Sequence, residues 1–419
     1  RLYRVSILIF DSLSVAQLIH LALLGRHFNI YDLFSAGEGL TYFQGIITHF
    51  NRYSISIIIF SFIFWKLTIY FWPPKKLNNR VTFTILFTFL CLSLAARTTS
   101  LKLINSVTIT DSWDSNMEPS KVYELFSNPT SSFQLTGIYE YTFREIYLFL
   151  TPQANLSSSE ITTIANYLDS RNLDQTNSHT GLFKDKNVIM IMMESVDNTF
   201  LNKEIMPTLS SLTTKSLYFT NRYSPIYGIG ATFNSEFTSL TGTYSSTYGK
   251  AAYFYPDNDY TYALPNLFKA SGYSVNSFHM NKGSFYDRSA MHTAFGFERY
   301  NSFLNYTNDY IYSDSTITDN DSIYHAITSG NRFFSYIITY SPHMPYTEEN
   351  ITCQNYMQDS FYNQDDYETS CLKSALYDTD TFINKLIKRL DQDNLLDNTV
   401  IILYGDHLVY AYNKRVEAG

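Results

Sequence analysis

Positive charge is scarce in this chain of 419 residues. Lys and Arg number 30 against 38 Asp and Glu, which gives a formal net charge of −8. A nucleic-acid-binding domain concentrates basic side chains on one face, so this composition indicates no nucleic-acid partner. The length predicts two or three domains with an ample apolar core.

Cysteine is also scarce, with three residues in the whole chain. Cys91 lies in an apolar stretch and is interpreted as a small hydrophobic residue. Cys353 and Cys371 flank a polar insertion rich in Tyr and Asp. A disulfide between them and two free thiols are equally compatible with the sequence, because spacing alone does not show that two sulfurs meet.

Long apolar runs are concentrated in the first 100 residues. Three of them predict transmembrane helices, at residues 5–24, 54–72 and 81–96. Asp11 and His20 weaken the first run. The short basic loop Pro73–Arg80 is predicted to be cytoplasmic, which places the chain after Arg97 outside the cytoplasm. Three such runs at one end, followed by a polar remainder, favour membrane spans over buried core helices or a signal peptide.

Residues 101–180 are predicted to form a juxtamembrane helical linker. Pro119–Phe126 and Thr136–Leu150 predict helices whose aromatic residues suit a membrane surface, and Ser157–Glu160 predicts the start of another helix. Residues 181–419 then form an extracytoplasmic domain. The chain opens on Arg1 and stops soon after residue 407, so we expect a fragment in which this domain is truncated at its C-terminal end.

Two predicted strands each lead into residues that can bind a metal ion. Asn187–Met193 is followed by Glu194, and Thr399–Gly405 is followed by Asp406 and His407. Continuous apolar runs of this length are typical of strands buried on both faces of a parallel sheet. Ligands of such sheets bind beyond the carboxyl ends of the strands. The sequence therefore predicts that these side chains converge on one cation.

A threonine stands at the start of a predicted helix. Gly228 and Gly230 allow close approach of the backbone, and the residues after Thr232 are helical in pattern. Free N–H groups at a helix N-terminus favour phosphate oxygens, and a nearby cation can turn the hydroxyl into a nucleophile. The local sequence by itself favours an ordinary N-cap. The metal-ligand pattern described above shifts the interpretation to a nucleophile.

Further polar side chains follow two other predicted strands. The segment Ser274–Arg288 predicts a strand followed by a loop that carries His279, Tyr286 and Arg288, and the strand Arg332–Tyr340 is followed by His343. The Arg fork matches phosphate geometry, and His can donate to a phosphoryl oxygen. A lone histidine is usually structural. Two histidines at the same predicted sheet edge as the metal ligands favour a phosphate-ester site.

With these segments in order, the chain resembles the lipoteichoic acid synthase family, membrane phosphoglycerol transferases of the alkaline phosphatase/sulfatase superfamily. The matching motifs lie within Asn187–Ser195, Gly230–Phe237, Phe278–Phe297, Ser341–Tyr346 and Tyr404–His407. Their order and spacing cover nearly all of residues 180–410. The resemblance implies an α-helical transmembrane N-terminal part, followed by an α/β sulfatase-like domain with a mostly parallel central sheet flanked by helices.

The resemblance also implies roles for individual residues. One divalent cation, manganese with magnesium as the alternative, would be held by Glu194, Thr232, Asp406 and His407. Thr232 would be the nucleophile. The glycerol-phosphate pocket would be lined by His343, Arg288 and Tyr286, with His279 nearby. Tyr286 stands where the family more often has tryptophan, which leaves open the hydrogen bonding and the depth of the pocket.

The activity implied by the resemblance is transfer of glycerol phosphate at the cell membrane. The donor would be phosphatidylglycerol, and the acceptor would be a hydroxyl of a glycolipid or growing polymer. A sulfatase is disfavoured, because the segment from Thr232 to Glu236 lacks the Pro and Arg of the Cys/Ser-x-Pro-x-Arg pattern. The alternatives are a phosphoethanolamine transferase, a phosphodiesterase, and a domain that binds lipid or wall polymer without turnover.

Overall fold

The structure is a computed structural model, and its description is confined to defined parts of the chain. The described residues are 2–24, 26–35, 52–71, 78–108, 118–126, 129–151, 156–170, 176–224, 231–245, 255–307, 313–348, 353, 361 and 365–409. Residues 73–77 of the predicted basic loop, Gly228 and Gly230 lie outside them.

The N-terminal part is helical at the three places where apolar runs predict membrane spans. The helices are α1 (Leu2–Leu24), α2 (Arg52–Phe71) and α3 (Asn79–Ser106). In the described part of the chain, one helix, α3, is long and apolar enough to cross a membrane, with 28 residues and a mean hydropathy of 1.7. The other two carry shorter apolar stretches, Leu8–Leu21 and Ile55–Leu67. Three crossings therefore stay a prediction.

The linker contains the helices that its sequence predicts. They are α4 (Pro119–Leu125), α5 (Pro129–Leu150) and α6 (Ser158–Ser170). α5 is interrupted at Gly137, whose φ of 71° favours glycine. α6 begins with a capping box, in which Ser157 Oγ accepts from the Glu160 N–H at 3.3 Å and Glu160 Oε2 accepts from the Ser157 N–H at 2.8 Å. The domain boundaries at 100 and 180 stay predictions.

A parallel sheet forms the centre of the C-terminal part, as predicted. Its strands are β1 (Asn187–Met193), β2 (Ser274–His279), β3 (Arg299–Ser302), β4 (Phe333–Ile338) and β5 (Thr399–Gly405). They lie in the order β3-β2-β4-β1-β5, and each neighbouring pair is parallel. The carboxyl ends of the strands therefore share one edge of the sheet. The helix predicted around Thr232 is present as α8 (Ala231–Thr241), and α7 (Pro207–Leu212) precedes it.

The burial of the two strands that lead to the predicted metal ligands differs. Each residue of β1 is buried, as its continuous apolar sequence predicts. β5 was expected to be buried on both faces, and this is wrong for the described residues: the strand is half-buried, and Ile402 is 39% exposed. The reason is its position, since β5 is the last strand in the sheet order and, among the described strands, pairs with β1 alone.

Helices cover both faces of the sheet. The further helices are α9 (Leu264–Ala270), α10 (Arg288–Phe295), α11 (Asp321–Ile327) and α12 (Tyr367–Gln392). Side chains of β1 alternate between two cores, because successive residues of a strand point to opposite faces. Ile189 and Ile191 pack in the core that includes Leu209 of α7 and Leu376 of α12. The opposite core includes residues of α8 and α10.

Two of the three cysteines are joined. Cys353 and Cys371 form a disulfide with Cα atoms 5.0 Å apart, which decides between the two alternatives that the sequence leaves open. Cys371 lies in the first turns of α12, so the bond joins Cys353 to this helix, and both cysteines belong to the same apolar core. Cys91 lies exposed on α3.

Candidate active site

Three of the four predicted metal ligands meet at the carboxyl edge of the sheet. Glu194, Asp406 and His407 are buried, and each offers a ligand atom within 4.8 Å of the others. His407 Nε2 lies 3.5 Å from Glu194 Oε1 and 3.2 Å from Asp406 Oδ2. The strand register explains this arrangement. Met193 pairs with Gly405, so the residues that follow β1 and β5 leave the sheet side by side.

The residues around the two carboxylates hold them in place. The Ser195 N–H donates to Asp406 Oδ1 at 2.8 Å, and the Ser195 hydroxyl donates to Glu194 Oε1 at 2.8 Å. Thr339 Oγ1 accepts from the Glu194 N–H at 2.9 Å. Ser195 has a φ of 51°, a left-handed conformation that is unusual for serine. This turn directs both carboxylates into the same space.

The cluster has the properties of a site for a divalent cation. Asp406 Oδ2 is buried and accepts no hydrogen bond from the part of the chain that the structure describes, which is costly for a carboxylate oxygen. Burial and the neighbouring charge of Glu194 raise the pKa of Asp406 to about 7. A cation would relieve both penalties. Two carboxylates and one imidazole accept several divalent ions, including manganese and magnesium.

The His407 ring is oriented for such a role. Its Nδ1 lies 2.9 Å from the carbonyl oxygen of Leu408, and a carbonyl can only accept, so Nδ1 carries the proton. Nε2 therefore presents its lone pair towards the two carboxylates. Metal-binding histidines characteristically donate their other N–H to a backbone carbonyl. Burial lowers the pKa of His407, but the charges of Asp406 and Glu194 outweigh it, so the net shift is upwards.

The predicted nucleophile lies next to this cluster. Thr232 is the second residue of α8, and its Oγ1 is 3.3 Å from His407 Nε2. Ser235, one turn further along, donates a short hydrogen bond to the carbonyl oxygen of Asp406, which fixes the helix against β5. Thr232 follows the first helical residue, Ala231, so it belongs to the first turn and not to the cap position. Its hydroxyl therefore lies at a helix N-terminus beside the metal-ligand cluster.

His343 lies in the loop that follows β4. Its ring stacks on Tyr340 with 5.0 Å between the ring centroids, and its Nδ1 lies 2.7 Å from the carbonyl oxygen of Met344. The pKa of His343 is lowered, mainly by burial. A neutral ring with its proton on Nδ1 has an accepting Nε2. The partner that suits this atom is a hydroxyl, whereas the sequence predicted donation to a phosphoryl oxygen.

A buried aspartate that the sequence did not reveal anchors the His343 loop. Asp314 accepts the backbone N–H groups of Tyr340 at 2.8 Å and of Ser341 at 3.1 Å. Burial, and then the neighbouring charge of Asp378, raise the pKa of Asp314 to about 7. The motif around His343 is visible in the sequence, but its anchor lies about thirty residues earlier in a polar segment with no distinguishing pattern.

His279 ends β2 and is buried beside the same edge. Its Nδ1 lies 3.0 Å from the carbonyl oxygen of Ile338, the last residue of β4. Burial lowers the pKa of His279 well below its ordinary value, and the charge of Arg288 adds to this shift. The ring is therefore neutral with an accepting Nε2, as in His343.

Arg288 is the first residue of α10, and Tyr286 lies two residues before it, in the segment between β2 and this helix. Arg288 is 1% exposed, and its Nε donates to Glu236 Oε2 at 3.0 Å. The Tyr286 ring centroid is 5.4 Å from the guanidinium carbon and 6.1 Å from the ring of Phe233, which follows Thr232. The predicted phosphate-binding arginine is thus already paired through Nε with a carboxylate of α8. Glu236 was missed as a functional residue, although its place four residues after Thr232 puts it on the same helix face.

Comparison with known proteins agrees with this fold. Residues 186–418, more than half of the chain, match the sulfatase family. Lipoteichoic acid synthase of Staphylococcus aureus is 27% identical over 283 residues, which cover 63% of this chain and 42% of that protein. The chain thus spans less than half the length of this relative.

A solved structure shows the same fold. The crystal structure of the lipoteichoic acid synthase LtaP from Listeria monocytogenes superposes with a TM-score of 0.51 and 21% identity, over 59% of this chain and 62% of that one. The likeness supports an alkaline phosphatase/sulfatase-type α/β fold around a parallel sheet. The resemblance inferred from the ordered motifs is confirmed: the chain is homologous to lipoteichoic acid synthase and belongs to the sulfatase family.

Proposed function

We propose that this protein is a membrane-bound transferase that moves glycerol phosphate from phosphatidylglycerol to an acceptor hydroxyl, with Thr232 as the nucleophile. One observation carries the proposal: Thr232 Oγ1 lies 3.3 Å from His407 Nε2, at the edge of a cluster that fits a divalent cation. The homology to lipoteichoic acid synthase supports the substrate class.

The cation would be held by Glu194, Asp406 and His407, with Thr232 as a fourth ligand, and manganese or magnesium would suit it. When bound, it would lower the pKa of the threonine hydroxyl and offset negative charge on the phosphoryl oxygens. α8 adds the free N–H groups of its first turn, which favour an anionic phosphate at the same place.

The reaction has two displacements. In the first, Thr232 Oγ forms a bond to phosphorus, the bond from phosphorus to the diacylglycerol oxygen breaks, the threonine proton leaves, and the diacylglycerol oxygen takes up a proton. In the second, an acceptor hydroxyl forms the new bond to phosphorus, loses its proton, and Thr232 leaves with a proton restored. The acceptor would be a glycolipid or a growing glycerol-phosphate polymer.

The remaining predicted residues orient the substrate. Arg288 would donate to the phosphate oxygens, and His343 would accept a hydrogen bond from a glycerol hydroxyl, because its Nδ1 is committed to Met344. Tyr286 beside Arg288 would supply a flat wall, and His279 would line the back of the pocket. These contacts would hold the phosphorus in line with the threonine oxygen.

A lipid substrate agrees with the apolar N-terminal helices. α3 is long enough to cross a bilayer, and the described part of it is not buried within the protein. We propose that α1 and α2 cross as well and that the catalytic domain lies outside the cytoplasm. The donor headgroup would then reach Thr232 from the membrane surface.

The proposal is tested with labelled phosphatidylglycerol and the full chain in detergent. The wild type should release diacylglycerol and carry a glycerophosphoryl group on the peptide that contains Thr232, as detected by mass spectrometry. Thr232→Ala should abolish both signals, and Thr241→Ala at the other end of α8 should retain them. Unchanged diacylglycerol release from Thr232→Ala would overturn the assignment of the nucleophile. Free glycerol phosphate as the main product, with acceptor present, would indicate a phosphodiesterase instead.

A further inference from the structure

Arg288 belongs to a network of buried polar side chains that connects the sheet to α8. Ser277 Oγ of β2 lies 2.7 Å from His292 Nδ1, His292 Nε2 makes a short contact with Glu236 Oε1, and Glu236 Oε2 accepts from Arg288 Nε at 3.0 Å. Each of the four is 0–1% exposed. The network joins three elements: β2, α10 and α8.

A contribution to stability does not by itself explain this network of buried polar side chains. Removing charged groups from water costs several kcal/mol for each ion, and well-packed apolar side chains of similar volume often replace a buried ion pair without loss of stability. Arg288 adds a further cost, since its Nη1 is buried and has no hydrogen-bond partner among the described residues. A buried cationic donor that is fixed at one end and unsatisfied at the other is suited to an anionic ligand.

The network of buried polar side chains reaches close to the proposed nucleophile. Glu236 lies four residues after Thr232 on α8, so the two side chains occupy the same face, one turn apart. Phe233 and Tyr286 are in ring contact at 6.1 Å, which brings the segment before Arg288 against the first turn of α8. The charges of both His407 and Arg288 act on His343, after burial, to lower its pKa. Arg288 and the metal-ligand cluster therefore border the same space.

We propose that Glu236, oriented by His292, is a positioning residue: it holds the Arg288 guanidinium so that Nη1 meets the phosphate carried by Thr232. The inference rests on the proposed function and adds two residues to it. Because Glu236 and Thr232 share one helix, the geometry between nucleophile and phosphate-binding arginine is set within α8. Arg288 is anchored to the element that carries the reacting oxygen, so the two move together.

The test is a double-mutant cycle in the full chain. Glu236→Gln keeps the shape of the side chain and removes its charge, and we expect it to lower kcat/KM for diacylglycerol release on the order of 100-fold, as misplacement of a binding group by about 1 Å does. In an Arg288→Gln background the same change should cost less than about threefold, because the group that it positions is gone. Asp380→Asn is the matched control. Asp380 is 2% exposed and anchors the N–H groups of Thr208 and Leu209, away from the site.

A second readout does not depend on turnover. Titration calorimetry with glycerol phosphate should show at least tenfold weaker binding for Glu236→Gln than for the wild type, and no such difference in the Arg288→Gln background. Thermal melting of every variant identifies any fold defect. The double variant removes both charges of the buried pair, so neither Glu236 nor Arg288 leaves an unpaired buried charge behind. A wild type that binds glycerol phosphate but forms no adduct on Thr232 defeats the proposed function, while the binding cycle still decides the role of Glu236. Equal losses in both backgrounds, or no loss in either, would overturn the inference.

Discussion

Gly405 ends β5 immediately before Asp406 and His407, and its replacement by alanine provides a stringent test of the site geometry. A Cβ atom built at Gly405 would lie 2.3 Å from the carbonyl oxygen of Val196 and 3.3 Å from its carbonyl carbon. The obstacle is the backbone of the turn that follows Glu194, so no side-chain rotation can relieve it. Ordinary contact begins at 3.4 Å, so the end of β5 and this turn must separate by about 1 Å.

That displacement falls between the metal ligands. Glu194 precedes the turn on one side of the contact, and Asp406 and His407 follow Gly405 on the other, so Gly405→Ala should pull the two carboxylates apart. Overpacking of this kind costs about 1–3 kcal/mol of stability. Misplacement of about 1 Å costs on the order of 100-fold in rate. We expect a folded protein with much weaker manganese binding by calorimetry and a loss of diacylglycerol release of that size.

Gly242→Ala is the control for this substitution. Gly242 follows α8 with a φ of 70°, and a Cβ there would meet no atom within 4 Å. The change should cost about 1–2 kcal/mol through backbone conformation alone and leave manganese affinity and rate near those of the wild type. If Gly405→Ala binds manganese and turns over normally, or if Gly242→Ala shows the same losses, the argument from close packing at the metal site is refuted.

Three further predictions concern stability. Chelation of divalent cations should lower the Tm, and added manganese should restore it. At a manganese concentration one hundred times Kd the free energy of unfolding should rise by about 2.7 kcal/mol. An unaffected Tm would count against the cation site. Because the pKa of Asp314 is raised to about 7, by burial first and then by Asp378, its stabilising contribution is complete below its ordinary pKa of 3.8 and is lost as the pH rises through 7. Asp378→Asn should flatten this loss in melts between pH 4 and 8, and an unchanged slope would contradict the coupling. Replacing Cys353 and Cys371 together by Ser removes a disulfide between residues 18 positions apart. The free energy of unfolding, measured in denaturant, should fall by about 3 kcal/mol. A fall of less than about 1 kcal/mol would indicate that the disulfide constrains the unfolded chain little.

The strands that position the metal ligands could be predicted because each is a continuous apolar run with a polar ending. β1 and β5 match their predicted bounds, and β4 is shorter than the predicted Arg332–Tyr340 by one residue at its start and two at its end. β3 was missed, since Arg299-Tyr-Asn-Ser shows neither an apolar run nor clear alternation. It is a strand because β2 offers a parallel partner, with Asn276 opposite Arg299. Pairing of this kind depends on tertiary structure and leaves little trace in a local pattern.

In the candidate site, too, features with a local sequence pattern could be predicted, and those that depend on tertiary contacts could not. The predicted metal ligands and the proposed nucleophile follow strand ends or begin a helix, so local pattern and fold class together predict their convergence. The contact between Glu236 and Arg288 joins residues 52 positions apart, and the anchor of the His343 loop by Asp314 spans 27 positions. No short motif reports such contacts. Helical spacing from Thr232 places Glu236 on the nucleophile's face, but it does not identify the residue that Glu236 would meet.

The three histidines of the site share one arrangement that decides their chemistry. His279, His343 and His407 each place Nδ1 within 3.0 Å of a backbone carbonyl oxygen, which can only accept. In the neutral rings the Nε2 atoms are therefore all acceptors or metal ligands. Neutralisation of a phosphate would then fall to the proposed cation, the first turn of α8 and Arg288, while the histidines suit hydroxyl groups and metal. A substrate that combines a phosphate with hydroxyls, as glycerol phosphate does, matches this division of donors and acceptors better than a simple phosphate monoanion.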